Sequence, residues 1–301
     1  MITPQGLTQQ FMDYMNDEAK VADKEVEKRF MELAKVLAAL YLLAPSATGY
    51  NFRFPKSTDV IFAQFRLDIR AIVDKFTLNG MKFSKEKNTR IFNRVLKTPK
   101  LRGWLDRKIQ DVTLNQRILK YSNNFKYELE ARIAIGIANG ETEASLINSV
   151  KVYLDRPFDN LLVDKRASWA ARRLAVKFNT GKGIYKSSFA NEKRLVRTEM
   201  FAAYRRADHL IWRDEKSVVG VRVYLNPAHP VLDSCDYLVG MYPKDYFFTG
   251  FHPACICLSM PVTRGDMVKD IPQSAKEYMG QDKTQRWYNE LPFITENKKY
   301  W

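Results

Sequence analysis

The chain has 301 residues, of which 46% are hydrophobic and 28% are charged, a composition that excludes an intrinsically disordered protein. The formal net charge is +15, which predicts a polyanionic neighbour, most simply nucleic acid. Three cysteines do not make a disulfide framework in a chain of this length and favour folding in a reducing compartment. We expect no signal peptide in the first residues, and no apolar run is long enough to span a bilayer.

Apolar residues at helical spacing predict two helices in the first third of the chain, over residues 7–44 and 58–76. Ala44-Pro45 ends the first, because a residue before proline avoids the helical region. A loop rich in Pro, Ser, Gly and Asn follows over residues 45–56, and Asn79-Gly80 predicts a turn. The first helix is interpreted as a core helix of a bundle, with a docking helix for an oligomeric partner as the alternative.

Positive charge is concentrated in two blocks, which hold ten Lys/Arg over residues 82–108 and twelve over residues 165–206. Each block contains only two acidic residues, so the charge is segregated rather than spread. The alternative interpretation is the solvated basic face of amphipathic helices. The residues that we expect to contact nucleic acid are Lys85, Lys87, Arg90, Arg94, Lys97, Arg172, Arg173, Lys177 and Lys182.

Three further helices are predicted over residues 111–137, 142–154 and 195–212, and Asn139-Gly140 ends the first of them. The Gly-rich break NTGKGIYK at residues 179–186 follows a helix and lacks the P-loop pattern, so no nucleotide site is predicted there. Glu199 lies near the start of the last helix. We interpret it as one half of a buried Arg–Glu pair that ties this helix to the C-terminal sheet, with a catalytic carboxylate as the alternative.

The periodicity changes after residue 217, where the β-branched run at residues 218–225 predicts a strand. Two more short strands are predicted over residues 247–251 and 256–262. The predicted fold class is α+β, a predominantly helical body with a small β-rich C-terminal module that contains the Cys/His cluster. The predicted segments are an N-terminal helical region (1–110), a helical core with a basic block (111–215), the β-rich module (216–262) and a tail (263–301) that docks on a partner or on its own chain.

All three cysteines and two of the three histidines fall between residues 226 and 261. Cys235, His252, Cys255 and Cys257 form a ligand set of three thiols and one imidazole, which suits one structural zinc ion. Asp233 or Asp236 is an alternative, harder ligand. Buried reduced thiols and a disulfide from Cys235 are the competing interpretations. His229 precedes a proline and is interpreted as a structural residue.

The same window resembles the C-terminal signature of the phage head morphogenesis family, the minor head proteins similar to phage Mu protein F. Three elements stand in the order of that family over roughly residues 128–262, and many members carry a second cysteine where this chain has Asp236-Tyr237-Leu238. The matching elements are IAIGIANGETEA at residues 133–144, Arg197-Thr198-Glu199 with Ala202, Tyr204 and Ala207, and then Asp233, Cys235, Gly240, Tyr242 and His252-Pro253-x-Cys255-x-Cys257.

The resemblance implies a structural rather than an enzymatic role. It implies assembly in the host cytoplasm and a place in the virion, inside the capsid near the portal vertex. The implied partners are the portal protein and the scaffold or major capsid protein, and the implied task is capsid assembly or DNA delivery. The basic blocks add non-specific electrostatic binding to double-stranded DNA. The alternative function is a nucleic-acid-cleaving or toxin-like enzyme delivered with phage DNA.

Overall fold

The computed structural model describes residues 3–42, 52–99, 103–109, 111–138, 141–142, 144–145, 187–229, 232–252, 255–280 and 291–301. Most of these residues are helical, and three short strands form one antiparallel sheet, so the predicted α+β class is confirmed. Three predicted features lie wholly or largely outside the described residues: the helix 142–154, most of the second basic block, and the Gly-rich break. No helix in the described ranges combines the length and apolar character needed to cross a membrane.

Four long helices are described: α1 (Pro4–Leu42), α2 (Asp59–Ile91), α3 (Leu114–Ala138) and α4 (Ser188–Asp214). Their apolar residues recur every three or four positions, which places them on one buried face. In α1 the buried positions include Phe11, Met15, Ala22, Val26 and Phe30. Each helix overlaps the segment predicted from periodicity, because that pattern reports which face of a helix is covered.

Asn79-Gly80 does not form the predicted turn, since α2 continues through both residues. Gly80 instead allows α2 and α4 to approach closely: a Cβ at this position would lie 2.7 Å from the carbonyl oxygen of Met200. The amide of Asn79 donates to Glu18 Oε1 at 2.5 Å. Two residues that are typical of turns are therefore used for tertiary contacts inside a helix.

The chain divides into two compact units. The sheet unit comprises Met1–Val21, Val73–Leu114 and Val196–Trp301, and the helical unit comprises Ala22–Ile72 and Asn115–Leu195. This division differs from the four sequential segments predicted above, because α1, α2 and α4 each contribute residues to both units.

The helical unit is built around the ring of Phe30. The rings of Phe65, Phe125 and Phe189 lie 5.0, 4.4 and 5.3 Å from it, centroid to centroid. Beside this core, Glu128 Oε1 accepts hydrogen bonds from the backbone N–H and the hydroxyl of Ser188. Aromatic side chains from α1, α2, α3 and α4 thus form one common core.

The sheet unit contains strands β1 (Gly220–Tyr224), β2 (Gly240–Pro243) and β3 (Leu258–Val262) in the order β2-β1-β3. Val221 of the central strand pairs with Tyr242 on one side and with Pro261 on the other. Val221 and Val223 are buried while Arg222 is exposed, which is the alternation that a one-sided sheet requires. The first and third predicted strands are confirmed, but residues 247–251 form an irregular loop and β2 is a strand that the sequence did not predict.

The C-terminal tail packs on the sheet unit of its own chain. It contributes the helices α6 (Gln273–Met279) and α7 (Pro292–Thr295). The short helix α5 (Ser234–Leu238) lies earlier in the chain, between β1 and β2. The side chain of Asn297 accepts from the backbone N–H of Phe247 at 2.7 Å and donates to its carbonyl oxygen at 2.9 Å. Phe293 is fully buried against the ring of Phe251. Of the two predicted docking surfaces for the tail, its own chain is the one observed.

Candidate metal centre

The three cysteines, distant in sequence, come together inside the sheet unit. Cys235 lies in α5, and Cys255 and Cys257 lie in the segment that enters β3; all three are buried. Their sulphur atoms lie within 4.8 Å of one another, and the Cys235 and Cys255 sulphurs are 3.8 Å apart. Two thiolates bound to one tetrahedral zinc at about 2.3 Å are also about 3.8 Å apart. The spacing fits a shared metal ion and is too long for a disulfide, so the cysteines are free thiols in this structure.

A capping box positions Cys235. The carboxylate of Asp233 caps α5 and accepts a hydrogen bond from the Cys235 N–H at 2.6 Å. In return, Asp236 Oδ2 accepts from the Asp233 N–H at 2.8 Å. This reciprocal pair fixes the first turn of α5 and therefore the direction of the Cys235 side chain. Asp236, an alternative ligand from sequence, is thus a capping residue.

Both histidines of the window lie against Asp233. His252 Nε2 is 3.4 Å from Asp233 Oδ2, and His229 Nε2 is 3.3 Å from Asp233 Oδ1. His229, Asp233 and Cys235 form a second group whose ligand atoms lie within 4.8 Å of one another. The structure therefore unites the three predicted thiols. It places the fourth predicted ligand, His252, at Asp233 and outside both groups of ligand atoms that lie within 4.8 Å of one another. It also brings His229 into a ligand group, which the proline beside it had hidden; the spacing H-x3-D-x-C is the signal that reveals it.

Arg205, on α4, is a component of the site that the sequence did not indicate. Its buried guanidinium donates to the carbonyl oxygens of Thr249 at 3.2 Å, Cys255 at 2.5 Å and Cys257 at 3.2 Å. Gly250 has a φ of 95°, and a Cβ there would lie 2.6 Å from Arg205 Nη1, so only glycine allows this close approach. Among the described residues, no carboxylate forms an ion pair with Arg205. A buried positive charge therefore lies beside the thiols without an acidic partner.

The surroundings of the three thiols favour ionisation of one of them, Cys255. Burial opposes ionisation of Cys255, but hydrogen bonds from Cys235 and Cys257 and the positive charge of Arg205 outweigh it, so the pKa of Cys255 lies well below its usual range. The hydrogen bond to Cys255 raises the pKa of Cys235. A lowered pKa favours the thiolate of Cys255, and a thiolate is the form that binds a metal.

Glu199 is fully buried and its carboxylate lies 2.8 Å from Arg107 Nη1. The guanidinium of Arg107 also stacks on the ring of Trp104 at 3.7 Å. The predicted buried Arg–Glu pair is confirmed, but its arginine comes from the segment before α3, so the predicted tie to the C-terminal sheet is wrong. The pair ties α4 to residues 103–109.

The predicted nucleic-acid contacts in the first basic block differ in exposure. Arg90, Arg94 and Lys97 are exposed and Lys85 is partly exposed, whereas Lys87 is fully buried. The ammonium of Lys87 lies 2.5 Å from Asp208 Oδ2. This corrects the prediction for Lys87, because its charge is neutralised inside the protein and cannot reach a phosphate. Arg172, Arg173, Lys177 and Lys182 lie outside the described residues.

Comparison of the chain with protein-family models, with curated proteins and with solved structures found no match. Function is therefore inferred from the geometry of the site and from the resemblance in motif order described above.

Proposed function

We propose that this chain is a structural minor head protein of a phage, and that one zinc ion holds its C-terminal module together. The observation that carries the proposal is the convergence of Cys235 with Cys255 and Cys257. These residues lie at the two ends of the C-terminal element that resembles the head morphogenesis signature. Their meeting in one buried cluster supports a common structural purpose for both.

The residues at the cluster fit zinc. Three thiolates and one Zn²⁺ carry a net charge of −1, and the buried guanidinium of Arg205 supplies a compensating positive charge. His252 is the proposed fourth ligand. Its Nε2 lies 3.4 Å from Asp233 Oδ2, so Nδ1 is the nitrogen that would bind the ion. Zinc would link α5 to the segment that enters β3, so it would contribute directly to the folding of the module.

The proposed partners are the portal protein, the scaffold or major capsid protein, and packaged double-stranded DNA. The exposed cations Arg90, Arg94 and Lys97 support a phosphate contact, although Arg90 pairs with Glu86 and Arg94 with Glu215. Binding of this kind neutralises phosphates, releases counterions and ignores base sequence. We therefore expect an affinity for DNA that falls steeply with salt concentration and is the same for unrelated sequences.

The metal is tested by elemental analysis of the purified protein together with thiol counting before and after denaturation. We expect zinc to be present and three thiols to be masked until the protein unfolds. Cys255→Ser should release the metal, whereas Ser234→Ala, a buried neighbour of Cys235 outside the ligand group, should retain it. Metal-free folded protein with three reactive thiols would refute the zinc part of the proposal.

The head-protein role is tested by mass spectrometry of purified phage particles and by co-sedimentation with procapsids assembled from the portal and capsid proteins of the same genome. We expect the chain in both. Its absence from particles in which other minor proteins are detected would contradict the proposal. Metal-dependent cleavage of DNA or RNA, lost on Glu199→Gln or His252→Ala, would instead favour the alternative of an effector enzyme.

A further inference from the structure

The group formed by His229, Asp233 and Cys235 has the geometry of a second metal site. Its imidazole nitrogen and carboxylate oxygen are 3.3 Å apart, longer than the usual N–H···O hydrogen bond of about 2.9–3.0 Å. Ligands at about 2.0–2.2 Å on a tetrahedral zinc are separated by about 3.4 Å. Within the part of the chain that the structure describes, His229 Nε2 is buried and makes no hydrogen bond. The imidazole nitrogen and the Asp233 carboxylate thus face each other at the spacing of two metal ligands.

The backbone holds His229 in this position. Asn226, which is buried, accepts the His229 N–H on its carbonyl oxygen at 2.8 Å and the Ala228 N–H on its side-chain oxygen at 2.9 Å. These two bonds close a tight turn directly after β1. Asp233 is held in turn by the capping box of α5. The backbone at His229 and the side chain of Asp233 are therefore ordered before any ion binds, which lowers the entropic cost of binding.

The two ligand groups share Cys235. Its sulphur lies within 4.8 Å of the ligand atoms of Cys255 and Cys257 in one group, and of His229 and Asp233 in the other. We propose that the module binds a second divalent metal of the zinc class through His229, Asp233 and Cys235, with the Cys235 thiolate bridging the two ions. The inference rests on the proposed zinc site, whose thiol cluster it extends. A ligand set of sulphur, nitrogen and oxygen favours zinc over magnesium or calcium, which prefer oxygen alone.

The electrostatics of the combined cluster also favour a cation at this position. Three thiolates and Asp233 carry four negative charges, while one zinc and Arg205 carry three positive charges. The remaining charge of −1 makes this position attractive to a further cation, and the number of metal ions bound per chain measures whether one binds there. The side chain of Asp233 is 35% exposed, so a second ion would have a route to solvent. The second ion should therefore bind more weakly and exchange faster than the first.

The test is a cobalt titration of the reduced, metal-depleted full chain, followed by the thiolate-to-cobalt absorption band, with elemental analysis of the zinc-loaded protein alongside. We expect two equivalents in the wild type and one in His229→Gln. The matched control is Asp266→Asn, which alters an exposed carboxylate of the same unit outside both ligand groups and should retain two equivalents.

One equivalent in the wild type, lost on Cys255→Ser and kept in His229→Gln, would overturn the second site and leave the proposed zinc site standing. No bound metal would overturn both. A readout without a variant is the NMR spectrum of the histidine rings, of which the chain has three. The resonances of the His229 ring should shift when the second equivalent of zinc is added. Resonances that stay unchanged up to zinc saturation would refute the site.

Discussion

Replacing Arg205 by methionine should destabilise the sheet unit strongly. The substitution keeps an unbranched side chain but removes the donors for three carbonyl oxygens, those of Thr249, Cys255 and Cys257. A buried polar group left without a partner costs about 1–3 kcal/mol. Because the loop can relax and admit water at some of these carbonyls, we expect a loss of about 3–5 kcal/mol, below the sum of three full penalties of about 3–9 kcal/mol.

The assay is urea unfolding of the zinc-loaded protein, combined with zinc release to a competing chelator. Arg205→Met should lower both the free energy of unfolding and the affinity for zinc, because the positive charge beside the thiolates is lost as well. Arg205→Lys keeps the charge without the planar fork and should recover zinc affinity more than stability.

The control is Arg206→Met, the next residue in the same helix. Arg206 is partly exposed and its guanidinium lies over the ring of Phe247 at 4.8 Å, away from the carbonyls that Arg205 holds. Its loss should cost about 1 kcal/mol or less. If Arg205→Met is no more destabilising than this control, Arg205 does not support the loop as described here.

Three further predictions concern sites away from the thiol cluster. Lys87→Met leaves the buried carboxylate of Asp208 without its cation, so it should lower the free energy of unfolding in urea by about 3–5 kcal/mol. DNA affinity per folded molecule, measured by fluorescence anisotropy, should stay unchanged. Weaker DNA binding by the folded variant would contradict burial of the charge. Burial raises the pKa of Glu128 to about 8 in the folded state. Its contribution to stability is therefore full below pH 4.5 and is lost as the pH rises to about 8, by on the order of 4 kcal/mol. Glu128→Gln should reduce the difference in unfolding free energy between pH 5 and pH 9, and an equal pH dependence for variant and wild type would refute this prediction. Gly80→Ala should lower the melting temperature, because the new Cβ would lie 2.7 Å from the Met200 carbonyl oxygen. This clash outweighs the gain in helix propensity of about 1 kcal/mol. A higher melting temperature would show that α2 and α4 can move apart.

Hydropathy period and local motifs determined much of this protein from sequence alone. The long helices, the central strand and the window that holds all three cysteines follow from patterns within short stretches of chain. The predicted burial of Glu199 in an arginine pair was also correct. These features depend on which face of an element is apolar or on which residue types are concentrated in one segment, and both are visible without coordinates.

The tertiary structure decided what each of these residues contacts. The sequence predicts a turn at Asn79-Gly80, but in the structure α4 packs against Gly80 within a continuous helix. The sequence also predicts a surface cation at Lys87, but the structure places Asp208 beside it, 121 positions along the chain. His229 reads as a turn residue until α5 brings Asp233 to its ring. Arg205 carries no local signal at all, because the carbonyls that it holds lie in a loop about 50 residues further on. Contacts of this length depend on how the helices and the sheet pack, and single-sequence periodicity contains no information about that packing.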